Sequence, residues 1–429
     1  MEEVNKTVRR IGALRWDGII TNGLLSILAK VVIDFFIFTV SPSFGIYGIE
    51  AHGVFFSDAY WFSWFVYIGV LVCYLSYMRG QVDSFDCALI FLFFANFIPL
   101  LSLFWIEEGS SSFVLFSALF WAMLFITFAW LPRFSTHRIA EDNVTVEKIF
   151  QTAYCILICL LGFLLVTNFS LSAGVGFDSV YERRSIFSSW LGGGLKPYLY
   201  SWSVYVFSMY LMFVSRHWIF KCIGICYILV FYIVAGDKVY LFLPLLVLMI
   251  KLVPKLGGKP VLYLFFIVLS VLGVLSFILG DIWVPSLVHR LFAMPPDIAL
   301  NYVEFFEYEN LHYSYSFLSG VSGYPYAELP ATLIGYVYYT DGDNATVNFL
   351  ADAYLNMGWF AICPLLLFFA FLRATLRDSR YLILLVPIFI QAIDTPLPTI
   401  LLTGGGGLII ITCYLLNARL VTGHVSRYE

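Results

Sequence analysis

Charged residues are scarce in this chain of 429 residues. Only 12% are Asp, Glu, Lys or Arg, whereas 61% are hydrophobic. A soluble domain carries roughly 25% charged residues, so the deficit excludes an ordinary soluble domain and fits a lipid-facing surface. Repeated apolar runs of about 16 to 22 residues predict membrane helices, because about 20 residues cross the hydrocarbon core.

Motifs for metals, disulfides and secretion are also missing. All eight Cys lie in or beside apolar runs, so no disulfide framework is expected. No His-x-x-x-His pair occurs, and the polar start from Met1 to Asp17 is unlike a cleaved signal peptide. We therefore predict neither a bound metal nor a cofactor, and no nucleic acid as partner.

The apolar runs predict an all-α polytopic membrane protein with one domain over residues 1–429. An even number of helices would place both termini on the same side of the membrane. Twelve spans are expected, at 19–40, 60–78, 87–106, 112–131, 149–169, 197–214, 218–234, 239–253, 260–280, 349–372, 381–396 and 399–416.

The distribution of Lys and Arg predicts the orientation of these spans. With the N-terminus in the cytoplasm, eighteen basic residues fall on the cytoplasmic side, five fall on the other, and Lys30 lies inside the first span. Such a bias sets orientation, so both termini are expected in the cytoplasm. The long polar loop 281–348 is then extracytoplasmic, and Pro295-Pro296 predicts the start of short amphipathic helices within it.

Two features inside the predicted spans carry local expectations. Lys30 and Asp34 are four residues apart, which places them on one helix face and predicts an ion pair, with a proton relay as the alternative. Gly404 to Gly407 in the last span indicate close helix packing or a break.

Five outer basic residues run against the orientation rule, which makes them candidates for anion binding. Ordinary loop charges are the alternative. Paired Arg offers forked donors that match phosphate geometry, and a Lys in the tight turn 236–238 expects an anionic partner, either Asp237 or a phosphate. The five residues are Arg183, Arg184, Lys196, Lys238 and Arg290. We predict that Arg183, Lys238 and Arg290 bind one diphosphate, with Arg184 able to replace Arg183.

The long loop also supplies a candidate base and candidate sugar-binding aromatics. His312 is the first candidate for the base and His289 the second, because an unperturbed His titrates near neutral pH. A role as a plain surface residue is the alternative for His312. Tyr313, Tyr315 and Tyr324 offer amphipathic rings that can hold sugar. Together with the cations, these residues suit a lipid-diphosphate-linked saccharide.

The sequence resembles the O-antigen (Wzy-type) polymerases, bacterial membrane enzymes that link oligosaccharide repeat units. The resemblance rests on about twelve spans with one long outer loop before the last three. It also rests on an Arg-x10-Gly pattern at Arg183 to Gly194, a Gly-x-Lys element at 236–238, and the segment 344–358 with Asn, an acid, an aromatic and Gly. One departure is that Asn301 stands where a second Arg-x10-Gly, from Arg290, would need Gly.

The resemblance implies a lipid-dependent glycosyltransferase bundle of the GT-C-like type in the bacterial inner membrane, without a metal. It would act in lipopolysaccharide or other polysaccharide biosynthesis. The donor would be a glycan on undecaprenyl diphosphate and the acceptor one repeat unit on the same carrier. Arg290 would join the two His residues in catalysis. Membrane lipid and a chain-length-determinant protein are further implied partners.

Two rival functions remain open at the level of sequence. An O-antigen ligase shares the outer-loop chemistry and differs in its acceptor. A flippase or exporter of lipid-linked oligosaccharide would need cations that line a cavity within the spans, whereas nearly all cations here lie at span ends.

Overall fold

The computed structural model is mostly helical over the residues that it describes, and these contain no β-strand. For residues at the ends of some helices, the structure describes the backbone and not the side chain. The described ranges are 2–47, 52–78, 83–107, 109–130, 144–168, 180–236, 239–256, 259–306, 311–316, 323–339, 345–375 and 380–417.

Several helices of the N-terminal part begin and end close to the predicted spans, whereas the first helix begins at Glu2, well before the span at 19–40, and Val180–Leu191 is a helix between two predicted spans. Ser57 caps one of them through a hydrogen bond from the Tyr60 amide at 3.2 Å. In chain order they are α1 (Glu2–Val40), α2 (Asp58–Tyr77), α3 (Ser84–Glu107), α4 (Ser111–Trp130), α5 (Val144–Asn168), α6 (Val180–Leu191), α7 (Lys196–Trp202), α8 (Met209–Phe213), α9 (Trp218–Ala235) and α10 (Val239–Leu252). A π-turn, Ser203–Ser208, joins α7 to α8.

The helices of the C-terminal part are shorter after the first of them. They are α11 (Lys259–Ile278), α12 (Trp283–Phe292), α13 (Met294–Phe305), α14 (Pro330–Tyr338), α15 (Phe349–Met357), α16 (Ile362–Thr375), α17 (Val386–Gln391), α18 (Leu397–Leu402) and α19 (Gly406–Asn417). Short segments of 3-10 helix lie at Ser41–Tyr47, Val253–Lys255, Gly358–Ala361 and Arg380–Leu385.

Eight segments of the described chain are long and apolar enough to cross a membrane. This confirms a helical polytopic membrane protein, and eight of the twelve predicted spans meet both criteria. The eight are Gly18–Phe44, Asp58–Tyr77, Ser84–Glu107, Ser111–Trp130, Val146–Asn168, Trp218–Ala235, Lys259–Ile278 and Phe349–Arg373.

The other four predicted spans are helical but short or interrupted. The segment 197–214 contains the π-turn, and α10 has only 14 residues. The segment 381–396 is a 3-10 turn followed by the six residues of α17, and 399–416 is divided between α18 and α19. Apolar composition predicted each helix, but a helix break inside an apolar run leaves little trace in composition.

The chain forms two compact units. The first consists of Met1–Pro132, Leu252–Phe371 and Gln391–Leu397. The second consists of Arg133–Lys251, Leu372–Ile390 and Pro398–Glu429.

In the first unit, α1 packs against α11 and α3, and α2 packs against α4. Lys30 and Asp34 of α1 form the predicted ion pair, with Nζ–Oδ distances of 3.0 and 3.1 Å. Ser102 of α3 donates a hydrogen bond to the same carboxylate, and the ammonium lies 5.0 Å from the ring centre of Trp64. Both charged side chains are almost fully buried, so the pair is part of the helical core.

The long loop 281–348 contains three short helices in its described part: α12, α13 and α14. Pro295 and Pro296 occupy the first turn of α13, as the start signal predicted. The helix begins at Met294 and ends at Phe305. Residues 307–310 lie outside the described part.

In the second unit, the glycines of the last predicted span produce both a break and close packing. Gly405 adopts a positive φ of 77°, and a Cβ there would lie 2.6 Å from Val206 and 3.0 Å from Trp202. The indole N–H of Trp202 donates to the carbonyl of Leu402 at 2.8 Å. The freed carbonyl at the end of α18 is therefore satisfied, as apolar surroundings require.

Candidate functional site

A stripe of buried polar residues runs along α15. Asn348, Asp352 and Asn356 follow one another at intervals of four residues, so they lie on one helix face. Each is at most 3% exposed. Asn348 is the N-cap, and its Oδ1 accepts hydrogen bonds from the amides of Leu350 (3.1 Å) and Ala351 (2.9 Å). Asp352 therefore lies in the first turns of the helix, where the helix dipole favours a negative charge.

The Asp352 carboxylate is held through one of its two oxygens. The Tyr315 hydroxyl donates to Oδ1 at 2.5 Å and the Asn356 amide does so at 3.2 Å. The Asn356 amide also donates to the Tyr315 hydroxyl at 3.0 Å, which closes a triangle of polar groups. The other oxygen, Oδ2, is buried and has no partner that meets hydrogen-bond geometry among the described residues, although the Tyr313 hydroxyl also lies close enough to interact with this carboxylate. A buried acceptor left open in this way marks a position for a ligand or water.

The turn 311–316 is fastened to α15 by its backbone. The amide of Leu311 donates to the carbonyl of Leu355 at 3.0 Å, and the amide of Tyr313 donates to Oδ1 of Asn356 at 2.6 Å. His312 and Tyr313 both adopt positive φ angles, 47° and 56°. Residues other than glycine are strained in this left-handed backbone region, so the hydrogen bonds to α15 must stabilise the turn. Such strain is common at ligand sites.

Four tyrosines continue from this turn as a connected group, which we call the tyrosine cluster: Tyr313, Tyr315, Tyr324 and Tyr326. Neighbouring ring centres lie 6.3, 6.2 and 5.5 Å apart in that order. The Tyr324 hydroxyl is a second buried polar atom with no partner in hydrogen-bond geometry among the described residues. These ring faces, together with the unpartnered Tyr324 hydroxyl, are suited to a ligand that is apolar on its faces and polar on its edges.

Electrostatics keep the hydroxyls of this region protonated. Burial raises the pKa of Tyr313 and of Tyr315, and the Asp352 carboxylate raises both further. Burial also raises the pKa of Tyr324 to about 12. Tyr302 of α13 has a pKa raised by burial, then by Asp352 and Tyr324. These tyrosines can therefore donate hydrogen bonds across the physiological pH range, but they are poor proton acceptors.

A second buried acid, Asp297, lies on α13. The Tyr339 hydroxyl and the Asn301 amide donate to its carboxylate, and Asn301 also donates to the Tyr339 hydroxyl at 2.8 Å. Burial raises the pKa of Asp297 to about 6, although both hydrogen bonds act in the opposite direction. This group of three links α13 to the residue that follows α14.

The structure brings together Tyr313, Tyr315 and Tyr324, the three residues that sequence predicted for sugar binding. His312, the first candidate base, is exposed and directly precedes Tyr313. His289, the second candidate, is buried on α12, where its ring stacks on Phe44 with the centres 4.5 Å apart. Its neighbour Arg290 is exposed on the same helix. Catalytic roles for these three residues stay predictions.

Arg183 has a different environment from the one expected of a loop cation. It lies on α6 and is 4% exposed. Its guanidinium donates to the carbonyls of Ile233 (2.6 Å) and Tyr232 (3.3 Å) at the end of α9, and it lies 5.5 Å from the Tyr232 ring centre. Gly236, with a φ of 70°, ends that helix. A cation here neutralises the negative end of the helix dipole.

The other predicted diphosphate ligands differ in their surroundings. Arg184 is half-buried on α6, and Lys238 lies outside the described residues, as does Asp237. Arg290 belongs to the first unit, whereas Arg183 belongs to the second. Gly192 and Gly194 both have positive φ angles with open space around them, which fits a turn before Pro197.

Sequence reasoning did not single out Asp352, Asn356 or Tyr302. The signal was present: in the segment 348–356, three polar residues interrupt an apolar run at positions i, i+4 and i+8. One polar stripe on an apolar helix predicts a buried polar contact.

Within the described ranges, no three His, Cys, Asp or Glu residues are grouped closely enough to hold a metal ion. Comparison with known protein families, with curated proteins and with solved structures finds no match.

Proposed function

We propose that this chain is a membrane glycosyltransferase that polymerises oligosaccharide repeat units carried on undecaprenyl diphosphate, for O-antigen or capsule-type polysaccharide. One observation carries the proposal: Asp352 is a buried carboxylate next to the tyrosine cluster, and one of its oxygens is fixed by hydrogen bonds while the other has no partner in hydrogen-bond geometry among the described residues. A carboxylate or amide beside aromatic faces is a combination suited to a sugar ring, because the ring has polar hydroxyl edges and apolar C–H faces.

In this proposal the acceptor saccharide binds the tyrosine cluster. Asp352 accepts the proton of one acceptor hydroxyl, and the oxygen of that hydroxyl attacks the anomeric carbon of the donor glycan. The bond from that carbon to the diphosphate breaks, and undecaprenyl diphosphate leaves with the electron pair. Because Oδ2 is buried in this structure, an acceptor hydroxyl reaches it only after a covering side chain moves.

The other site residues have defined parts in this reaction. Tyr315 and Asn356 are positioning residues, since both bind Oδ1 and so direct Oδ2 toward the acceptor. His312 remains a second candidate for the proton acceptor. Arg184, Lys238 and Arg290 remain candidates for holding the leaving diphosphate, whose developing charge needs donors in place.

The test is the polymer ladder made in cells that lack the native gene and carry single variants at equal protein level. A general base contributes about 10²–10⁴-fold to rate, so Asp352→Asn should leave single repeat units and no ladder. Tyr315→Phe removes one hydrogen bond but keeps the ring, and should shorten the ladder. Lys196→Ala is the matched control, because Lys196 is exposed on α7, and its ladder should be unchanged.

Thermal unfolding of the same purified variants distinguishes catalysis from folding. Asp352→Asn keeps the size of the side chain, so its unfolding temperature should stay close to that of the original chain. A full ladder from Asp352→Asn would overturn the proposed role of Asp352. The polymerase proposal would be overturned if three separate variants each made a full ladder: Asp352→Asn, His312→Ala and the double variant Tyr313→Ala/Tyr324→Ala.

An exporter of lipid-linked oligosaccharide is the second candidate, and the buried Lys30–Asp34 pair favours it. Ionisable residues inside membrane helices mark ion or proton pathways more often than chance. In an exporter, Lys30→Met would stop the outward movement of repeat units, so units would accumulate inside the cell. In a polymerase they would accumulate outside, unlinked, when Asp352 is changed. The side on which the units accumulate separates the two functions.

A further inference from the structure

We propose that α12 lies in the interface between membrane and water, with Arg290 at the level of the phospholipid phosphates. The inference is independent of the proposed function. It depends on where α12 lies along the chain and on which of its faces is covered by protein.

The position follows from the span before it. α11 has 20 residues, which at 1.5 Å per residue is about 30 Å, the thickness of the hydrocarbon core. Its last residue, Ile278, is therefore expected at the membrane boundary. Trp283, the first residue of α12, follows five positions later, and five residues extend at most about 18 Å. Gly280, with a φ of 81°, turns the chain there, and Asp281 accepts the Trp283 amide at 3.2 Å.

The inner face of α12 is covered by protein. Pro285, Val288, His289 and Phe292 are buried, and His289 stacks on Phe44 while Phe292 lies against Phe266. The helix packs on α1, α3 and α11 within the first unit.

The outer face of α12 is apolar but exposed. Trp283 is 63% exposed and Leu287 is 42% exposed, and the preceding turn adds Leu279 at 84% and Ile282 at 66%. Leu287 and Arg290 follow Trp283 at positions i+4 and i+7, so the three residues share one face of the helix. Such an apolar patch in water would be unfavourable.

The occupant that fits this face is the phospholipid headgroup region of the bilayer. Trp is enriched at that depth because its ring is apolar and its N–H is polar. The face is continuous with the lipid-facing side of α11, where Leu275 and Ile278 are exposed. One Arg among apolar side chains completes the pattern of an interfacial amphipathic helix, with its cation paired to lipid phosphate.

The test measures depth by electron paramagnetic resonance. The full-length chain, with its eight Cys replaced by Ala, is reconstituted in vesicles of phosphatidylcholine and phosphatidylglycerol that contain no lipid diphosphate. A nitroxide is attached at Trp283→Cys or Leu287→Cys. Phe65→Cys, exposed on the membrane helix α2, is the deep control, and Glu328→Cys, exposed in the long loop, is the aqueous control.

Oxygen collides more often with deep labels, and a nickel chelate with aqueous ones. Labels at 283 and 287 should fall between the two controls in both measurements. A nitroxide at Arg290→Cys should broaden the phosphorus resonance of the phospholipids more than a nitroxide at Phe65→Cys or Glu328→Cys. Nickel accessibility at 287 equal to that at 328, or broadening from 290 no greater than from 328, would overturn the inference.

A second measurement retains the native Cys in case their replacement prevents folding. A benzophenone amino acid at position 287 should give a covalent phospholipid adduct on illumination, detectable by mass spectrometry. The same amino acid at position 328 should give none. An absence of adduct at 287, with adduct formed at 65, would contradict a lipid-facing α12.

Discussion

Replacing Arg183 by Ala separates a structural role from a ligand-binding role. The guanidinium bonds two carbonyls at the end of α9, at 2.6 and 3.3 Å. Hydrogen bonds that involve a charged group contribute ~1.5–3 kcal/mol, and a cation at a partly buried helix C-terminus contributes up to ~2 kcal/mol. Because the contributions overlap, we expect Arg183→Ala to lower the free energy of unfolding by about 3 kcal/mol.

The assay is thermal unfolding of the purified chain in detergent. In a unit of this size 1 kcal/mol shifts the unfolding temperature by roughly 2–4 °C, so a decrease of roughly 6–12 °C is expected. Arg183→Lys keeps the charge and loses the fork, and should fall between Ala and the original chain. Lys196→Ala is the control: this exposed Lys lies 5.3 Å from the Trp190 ring centre, a contact worth about 1 kcal/mol or less.

The result that would refute this reasoning is specific. If Arg183→Ala unfolds within about 2 °C of the original chain, a change of less than about 1 kcal/mol, the carbonyl contacts are not what the side chain is needed for. Loss of polymer in such a stable variant would instead support the diphosphate-binding role that sequence predicted. If Arg183→Ala loses both its thermal stability and its polymer, disruption of the C-terminal end of α9 explains both losses.

Three further predictions concern buried polar groups. Burial moves the pKa of Asp297 from 3.8 to about 6. The unfolded chain therefore releases this proton first, and Asp297 should lower the free energy of unfolding by ~3 kcal/mol as the pH rises from about 4 to 6. Denaturant unfolding of Asp297→Asn should show a slope that is shallower by this amount. Lys30→Met leaves the Asp34 carboxylate buried without its ammonium and should destabilise by ~3–5 kcal/mol, whereas Lys30→Met with Asp34→Leu should lose less. Asn348→Ala removes two bonds to helix amides and should lower stability by ~1 kcal/mol, while Asn348→Ser keeps a cap.

Each of these has an outcome that contradicts it. An Asp297→Asn chain with the same pH slope as the original would assign the slope to another group. A double variant at 30 and 34 that is no more stable than Lys30→Met alone would show that charge imbalance is not the reason for the loss. Equal unfolding temperatures for Asn348→Ala and Asn348→Ser would mean that the cap bonds contribute little.

Sequence predicted the helical segments well, because an apolar run of this length in an almost uncharged chain has few other structures open to it. It also predicted the Lys30–Asp34 pair, since the spacing alone places both residues on one face. It did not predict the interruptions within 197–214 and 399–416. These interruptions depend on contacts between residues that are far apart in the sequence. For example, Val206 of the π-turn lies against Gly405.

The candidate site was predicted in part. Tyr313 and Tyr315 were identified from residue type, and they do lie together. Asp352 entered only as the acid of the segment 344–358 and was assigned no role in the site, because it stands among apolar residues at the start of a predicted span and its partner Tyr315 is 37 positions away. The carbonyl partners of Arg183 are 49 and 50 positions away. Local spacing contains no information about partners at such distances.

The contact between Gly405 and Trp202 has a consequence for evolution. The indole and the Val206 side chain occupy the space that a side chain at 405 would need, and the indole N–H satisfies the carbonyl left free by the helix break. The three positions are therefore constrained together. Among descendants of this sequence, a larger residue at 405 should be tolerated only where both 202 and 206 have become small, and then the helix break itself should close into continuous helix. Loss of the indole with Gly405 kept should be the rarest combination, because it leaves an unsatisfied carbonyl.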